Sequence, residues 1–314
     1  MSILFHCLWH NKNEWLKVIK KQFKGQKIYS LEDKPDLSNI EFAIIWELSN
    51  EVLGKMKNVR VLFSLGAGVD HILTLSNYKG QPIIRLKDFA MAERMTNHIL
   101  SQLLFYQLNL KKYQEAQKKK KWIEDIEPIL NCNMTIGVLG VGFLGSFVAN
   151  QIKKLGYNVM GFKNSKPIKN FSFPVLYKKN SLKKFLNKSN VIVNMLPSTK
   201  ETQHMINKFF LQAMKKKSLL INVGRGSTLN EKDLIIHLKR NKNFCVSLDV
   251  FEKEPLLKSH PLWKMPNVII TPHIASASAA TFTRMGLMAA DNVINFLRGE
   301  PMPACLNPEV LSRT

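Results

Sequence analysis

Cysteine is scarce, with four residues in a chain of 314. They stand at positions 7, 132, 245 and 305 without a C-x-x-C pair, which excludes a disulfide framework and the usual zinc spacings. Three of them sit in or beside apolar runs, as free buried thiols do, so a reducing, cytoplasmic setting is expected. No apolar run approaches the roughly 20 residues that a membrane helix needs, and no membrane partner is expected. Residues 2–9 have neither a leading basic region nor a small-residue cleavage site, so they read as a buried strand rather than a signal peptide. H-E-x-x-H and acidic loops of calcium type are also missing, and no metal is expected.

Acidic residues are the second shortage. Asp and Glu number 23 against 46 Lys and Arg, a formal charge of +23. A nucleic-acid surface, a funnel for anionic substrates and plain lysine-rich solvated faces would each produce it. The lysines run the whole length of the chain with no aromatic-studded basic module, so no specific nucleic-acid partner is expected. The dense run Lys118 to Lys121 closes a predicted helix, where cations suit the helix dipole.

What the sequence has in quantity is an ordinary apolar fraction, 45%, and length enough for two domains. Short apolar runs alternate with amphipathic stretches, the pattern of layered α/β folds with parallel sheets. Candidate strands are 2–9, 41–46 and 60–65, then 134–139, 158–162, 191–196, 219–223, 245–250 and 268–271. Trp15, Leu16, Ile19 and Phe23 recur at helical spacing. Residues 91–121 form a long helical pattern without Pro or Gly, Pro128 breaks the chain, Asn230 caps a helix over 231–240, and a last helix spans 277–297. Two doubly wound domains are expected.

Gly140-Val141-Gly142-Phe143-Leu144-Gly145 follows an apolar strand and opens a helix, the context in which G-x-G-x-x-G binds a dinucleotide. Gly140 allows the turn, Gly142 admits a pyrophosphate and Gly145 lets helix and sheet approach. An NAD site places an acid at the end of the second strand, to hold the ribose hydroxyls. Here no Asp or Glu occurs between Gly145 and Glu201, and that strand ends Lys163-Asn164-Ser165-Lys166. Lysine and hydroxyl donors attract a 2′-phosphate, so NADP(H) is favoured over NAD(H). Lysine-biased composition filling these positions is the competing explanation.

With these residues in view the chain resembles the D-isomer-specific 2-hydroxyacid dehydrogenase family over nearly its full length, and within it the glyoxylate/hydroxypyruvate reductase A type. Ordered blocks carry the resemblance: Leu65-Gly66-Ala67-Gly68-Val69-Asp70, the glycine turn, Leu196-Pro197-Ser198-Thr199-Lys200-Glu201-Thr202, Asn222-Val223-Gly224-Arg225-Gly226, Asp249-Val250-Phe251-Glu252-Lys253-Glu254-Pro255-Leu256 and Thr271-Pro272-His273-Ile274-Ala275. The resemblance implies a Rossmann cofactor domain, residues 98–281, inserted into a flavodoxin-like substrate domain, residues 1–97 and 282–314. It implies NADPH-dependent reduction of a small 2-oxo acid such as glyoxylate or hydroxypyruvate, by a homodimer to which the helix after Met91 contributes. A bulkier oxo acid, or a dinucleotide-sensing binding protein, are the alternatives.

The resemblance also implies roles. Arg225, at a strand's carboxyl end, would clamp the substrate carboxylate and polarise its 2-oxo group. His273 would give the proton, with Glu254 on its far nitrogen and Glu252 a nearby rival. Beyond the glycine turn (Gly140, Gly142, Phe143, Leu144, Gly145) and residues 163–166, the cofactor set comprises Leu196, Pro197, Thr202, Val223, Gly224 and Asp249. Ala67 and Gly68, in a turn of exposed N–H groups, join Trp46 and Met91 as substrate contacts. Trp46 as plain core and Met91 as helix-start packing remain open.

Overall fold

The computed structural model describes residues 1–8, 12–23, 25–124, 129–167, 170–277, 281–302 and 305–306, except the side chains of 281 and 282. Position 9, at the end of the first expected strand, and Pro128 lie outside the described residues. The chain divides into two compact units, Met1–Phe89 with Ser278–Thr314, and Ala90–Ala277.

The first unit opens with β1 (Ser2–Cys7), α1 (Lys12–Gln22), β2 (Lys27–Tyr29), β3 (Phe42–Trp46), α2 (Asn50–Lys55), β4 (Val61–Ser64), α3 (Asp70–Leu73) and β5 (Ile83–Ile84). Trp15 and Ile19, one helical turn apart, bury the inner face of α1. Ser49 caps α2 by accepting the Val52 N–H.

Helix α4 (Phe89–Gln107) leads into the second unit, which continues with α5 (Leu110–Lys118), β6 (Thr135–Leu139), α6 (Phe143–Lys154), β7 (Asn158–Lys163), β8 (Val175–Tyr177), α7 (Leu182–Lys188), β9 (Val191–Asn194), α8 (Lys208–Ala213), β10 (Leu219–Asn222), α9 (Glu231–Arg240), β11 (Cys245–Leu248) and β12 (Val268–Ile270). Its sheet runs β12-β11-β10-β9-β6-β7-β8, and every pairing is parallel. Strands β9 and β10 are buried along their whole length, as helices on both faces require. The order reverses between β6 and β9, the switch point at whose carboxyl side open sheets of this kind bind ligands.

Helix α10 (Thr281–Leu297) and strand β13 (Cys305–Leu306) return to the first unit. There the order is β13-β5-β4-β3-β1-β2, with β13 antiparallel to β5. Phe296 of α10 seats edge-on against Phe42 and Phe63 of this sheet. The expected fold class, two doubly wound parallel sheets, is what the chain forms. Among the described residues no helix is long and apolar enough to cross a membrane.

The long helix expected over 91–121 is two helices. Asn109 lies at φ 53° between α4 and α5, a left-handed conformation that Asn tolerates and that ends a helix without Gly or Pro. Only Lys118 of the lysine run falls in a last helical turn, and Lys120 is itself left-handed. Of the cysteines only Cys7 is buried, and Cys132 is exposed. The sequence reading put the division between the domains at residues 97/98 and 281/282. Arg94 Nε, donating to Ala277 O at 2.9 Å, ties the start of α4 to the second unit.

Candidate active site

The site is built at the carboxyl end of the second sheet. Gly140, at φ +96°, leaves β6 in a conformation that only glycine adopts readily. A side chain there would also meet the Met195 backbone at 3.0 Å, and one at Gly145 would lie 2.0 Å from Gly140 O. Among the described residues nothing stands within 4 Å of the position a Gly142 side chain would occupy. Helix α6 begins at Phe143 after the N-cap Gly142, which has no side chain to cap it, and carries no acid in its first turn. A positive dipole end, with open space above Gly142, fits a pyrophosphate. At the end of β7, Lys163 is half-buried while Asn164, Ser165 and Lys166 are exposed.

Two asparagines shape the facing loops. Asn194 and Asn222 end β9 and β10, and both are fully buried. Asn194 Nδ2 donates to Asn222 Oδ1 at 2.8 Å and to Thr228 Oγ1 at 2.7 Å, while Asn194 Oδ1 accepts the Leu196 N–H at 3.2 Å. Asn222 Oδ1 takes the Gly224 N–H at 3.2 Å, and Thr228 Oγ1 donates to Arg225 O at 2.6 Å. Both turns, and the backbone of Arg225 with them, hang from one buried polar network. Sequence reasoning missed Asn194 and Thr228. The available signal was a polar residue closing an otherwise apolar strand, Val-Ile-Val-Asn and Leu-Leu-Ile-Asn.

Gly226 follows Arg225 where the chain crosses the 251–252 backbone. A Cβ there would lie 1.8 Å from Phe251 O and 2.6 Å from Glu252 N. Gly226→Ala therefore forces apart the segments carrying Arg225 and Glu254. It is expected to destabilise the fold by about 1–3 kcal/mol and to depress turnover. Unchanged melting and kcat would contradict this.

The histidine turn completes the group. His273 sits at φ 55°, held by its N–H to Asp249 O at 2.8 Å. Asp249 is 1% exposed. Its Oδ1 accepts Thr271 Oγ1 at 2.6 Å and the Ile274 N–H at 2.9 Å, and its Oδ2 accepts the Ala275 N–H at 2.9 Å. The carboxylate expected at the cofactor thus underpins the 271–275 turn. His273 Nδ1 and Glu254 Oε2 are 2.8 Å apart, and Glu254 Oε1 accepts the Phe251 N–H at 2.9 Å. Glu252 bonds elsewhere, to Glu231.

That hydrogen bond, donated to Glu254, lifts the His273 imidazole above its ordinary value, more than the charges of Glu254 and Asp249 do, against burial and the Arg225 charge. Burial pulls Glu254 upward, but the bonds from His273 and Phe251, with the charges of His273 and Arg225, hold it below the usual carboxylate range. Arg225 therefore acts on both partners, and its Nη1 donates to Gly224 O at 2.9 Å. The three residues are brought together. Such a group can hold a proton on an imidazole beside a fixed cation.

The remaining expected residues fall into place individually. Leu196 is half-buried and Pro197 exposed; Val223 and Gly224 are buried. Thr202 is 5% exposed and ties its loop, donating to Pro197 O at 2.6 Å and accepting the Thr199 N–H at 2.8 Å. In the first unit the Trp46 ring covers Gly66, leaving a side chain there only 2.5 Å from it, and faces the His71 ring at 4.3 Å. Ser64 Oγ shapes the adjoining turn by bonding Gly66 N and Gly68 O, and Ala67 and Gly68 are part-exposed. Met91, in the first turn of α4, is buried.

Comparison with known proteins gives the following. The family model described as D-isomer specific 2-hydroxyacid dehydrogenase, NAD binding domain, matches residues 100–275. A protein of Serratia proteamaculans named glyoxylate/hydroxypyruvate reductase A is 33% identical over 88% of this chain and 89% of its own. Its namesake from Escherichia fergusonii is 31% identical over 96% and 97%. A Sinorhizobium meliloti NADPH-dependent glyoxylate/hydroxypyruvate reductase, solved with NADP and sulfate, superposes with a TM-score of 0.86 at 28% identity, covering 98% of both chains.

Proposed function

The chain belongs to the D-isomer-specific 2-hydroxyacid dehydrogenase family, and from that premise we propose that it uses NADPH to reduce a small 2-oxo acid, glyoxylate or hydroxypyruvate. The observation that carries this reading is the His273–Glu254 pair under the charge of Arg225, at the carboxyl ends of parallel strands. The relatives named for these substrates, and the neighbour solved with NADP, support it.

The residues would work as follows. The α6 N-terminus and Gly142 would hold the pyrophosphate, with Phe143 and Leu144 behind it. Lys163, Asn164, Ser165 and Lys166 would take the 2′-phosphate, and Leu196, Pro197, Val223 and Gly224 would flank the cofactor across the switch point. When bound, the reduced nicotinamide supplies a hydride. Arg225 would clamp the substrate carboxylate and polarise the neighbouring oxo group. His273 would donate the proton that the developing alkoxide needs, from the ring nitrogen opposite the one Glu254 holds. The part-exposed turn at Ala67 and Gly68 offers backbone N–H groups suited to a carboxylate.

The test is a panel of glyoxylate, hydroxypyruvate and phenylpyruvate with NADPH and NADH, followed by reduced-cofactor absorbance. NADPH oxidation with the two small acids is expected; none with any 2-oxo acid would overturn the reading. Lys163→Ala/Lys166→Ala should raise KM for NADPH about ten- to a hundredfold, since bonds to charged groups contribute about 1.5–3 kcal/mol, and leave KM for NADH nearly unchanged. We also propose a homodimer through the α4–α5 region. Leu104, Leu108, Leu110 and Tyr113 are exposed there, and Trp122 just beyond is 89% exposed. Light scattering should give twice the chain mass, and the mass of a single chain would exclude it.

A further inference from the structure

Glu252, the rival acid beside Glu254, has another place in the structure. Its backbone N–H donates to Glu231 Oε1 at 2.8 Å, and its own Oε1 accepts the Glu231 N–H at 3.0 Å. The two residues clasp each other reciprocally. A histidine then brackets each carboxylate: His204 Nε2 lies 3.2 Å from Glu252 Oε1, and His260 Nε2 lies 3.2 Å from Glu231 Oε2.

Capping α9 does not require this arrangement, because Asn230 already accepts the Asp233 N–H at 3.0 Å. Nor is it favourable in itself, since Glu231 is 7% exposed and faces two other acids. Burial raises its carboxyl, the Glu252 N–H opposes, the Glu252 charge adds to the rise, His260 lowers it, and Glu254 raises it again.

The clasp joins the segments that carry the chemistry. Glu231 closes the stretch that begins at Arg225, and the His204 N–H donates to Ser227 O at 2.9 Å within that stretch. Glu252 lies between Phe251, whose N–H holds Glu254 Oε1, and Glu254 itself. Gly226 gives the two backbones room to cross.

We propose that the Glu231–Glu252 clasp, bracketed by His204 and His260, is a positioning device that fixes the 251–254 turn and so aims Glu254 at His273 Nδ1. Its consequence for turnover rests on His273 being the proton donor proposed above, so the test reads the imidazole directly as well as the rate. Full-length protein labelled with ¹³C-histidine is titrated by NMR, the His273 signal being identified by its loss in His273→Asn. Glu252→Ala removes the acceptor for the Glu231 N–H while Arg225, Asp249 and Glu254 still face His273. The His273 titration should move down by about half a pH unit or more, and kcat should fall several-fold with KM for NADPH unchanged.

Glu252→Gln keeps an acceptor oxygen and should titrate close to the parent protein. Should Glu252→Ala not fold, His260→Gln, which removes the imidazole 3.2 Å from Glu231 Oε2, should shift His273 in the same direction. A His273 titration that coincides with the parent in the variant measured overturns the clasp. So does a Glu252→Gln shift as large as that of Glu252→Ala, which would reduce the effect to charge alone. A shift without any 2-oxo acid turnover in the parent protein upholds the clasp and removes the dehydrogenase reading instead.

Discussion

Replacing His273 by asparagine lowers kcat by about 10²- to 10⁴-fold, the range in which a positioned proton donor contributes, and leaves NADPH binding intact. The expectation comes from the ring's surroundings. One nitrogen is engaged by Glu254 at 2.8 Å, and the side chain is half exposed, so the protonated ring can be refilled from solvent. Since Glu254 raises the imidazole above its ordinary value, the acid form persists above the pH at which a free histidine would lose it. Reduction should therefore be flat on the acid side and decline as pH rises through the raised His273 value. Glu254→Gln should move that decline to lower pH.

The same shift links to stability. The contribution of the raised imidazole is complete below its unfolded value and is lost as pH rises through the folded one. That of Glu254, held low, is present above its unfolded value and is lost as pH falls through the folded one. Steady-state rates from acid to alkaline pH check the first expectation. A His273→Asn enzyme with parental kcat would remove His273 from the mechanism.

Arg225→Gln should cost about 2–5 kcal/mol, the range for truncating one partner of a desolvated charge pair. That is roughly thirty- to several-thousandfold in kcat/KM for the 2-oxo acid. Arg225→Lys should recover little of it, because an ammonium cannot reproduce the planar fork that meets a carboxylate with two parallel bonds. Asn194, Asn222 and Thr228 hold the backbone around Arg225 in a buried network. The substitution should consequently leave the fold and NADPH affinity nearly untouched. A kcat/KM within threefold of the parent would separate Arg225 from substrate binding.

The central strands of the second sheet, β9 and β10, were legible because both of their faces are buried. Such strands must be apolar throughout, and Val191–Asn194 and Leu219–Asn222 announce themselves as runs. The cap at Asn230 was equally plain, since it depends on local backbone donors. The strands β2, β5, β8 and β13 were not legible, at two or three residues each. A piece so short carries no period and is a strand only because a neighbour pairs with it.

At the site, the chain's own order of residues supplied the glycine turn, Arg225, Glu254 and His273, each carried by local chemistry that a motif records. It also determined that no acid follows the second strand. Tertiary structure alone decided what the other two acids of this segment, Glu252 and Asp249, do. Glu254 reaches His273, Glu252 turns to Glu231, and Asp249 goes beneath the histidine turn, although all three lie within six residues. The reason is physical. Spacing along one strand end limits which side chains can approach, but a carboxylate's partner is selected by donors arriving from α9 and from the 271–275 turn, far away in sequence. Only the packed sheet brings those donors within reach.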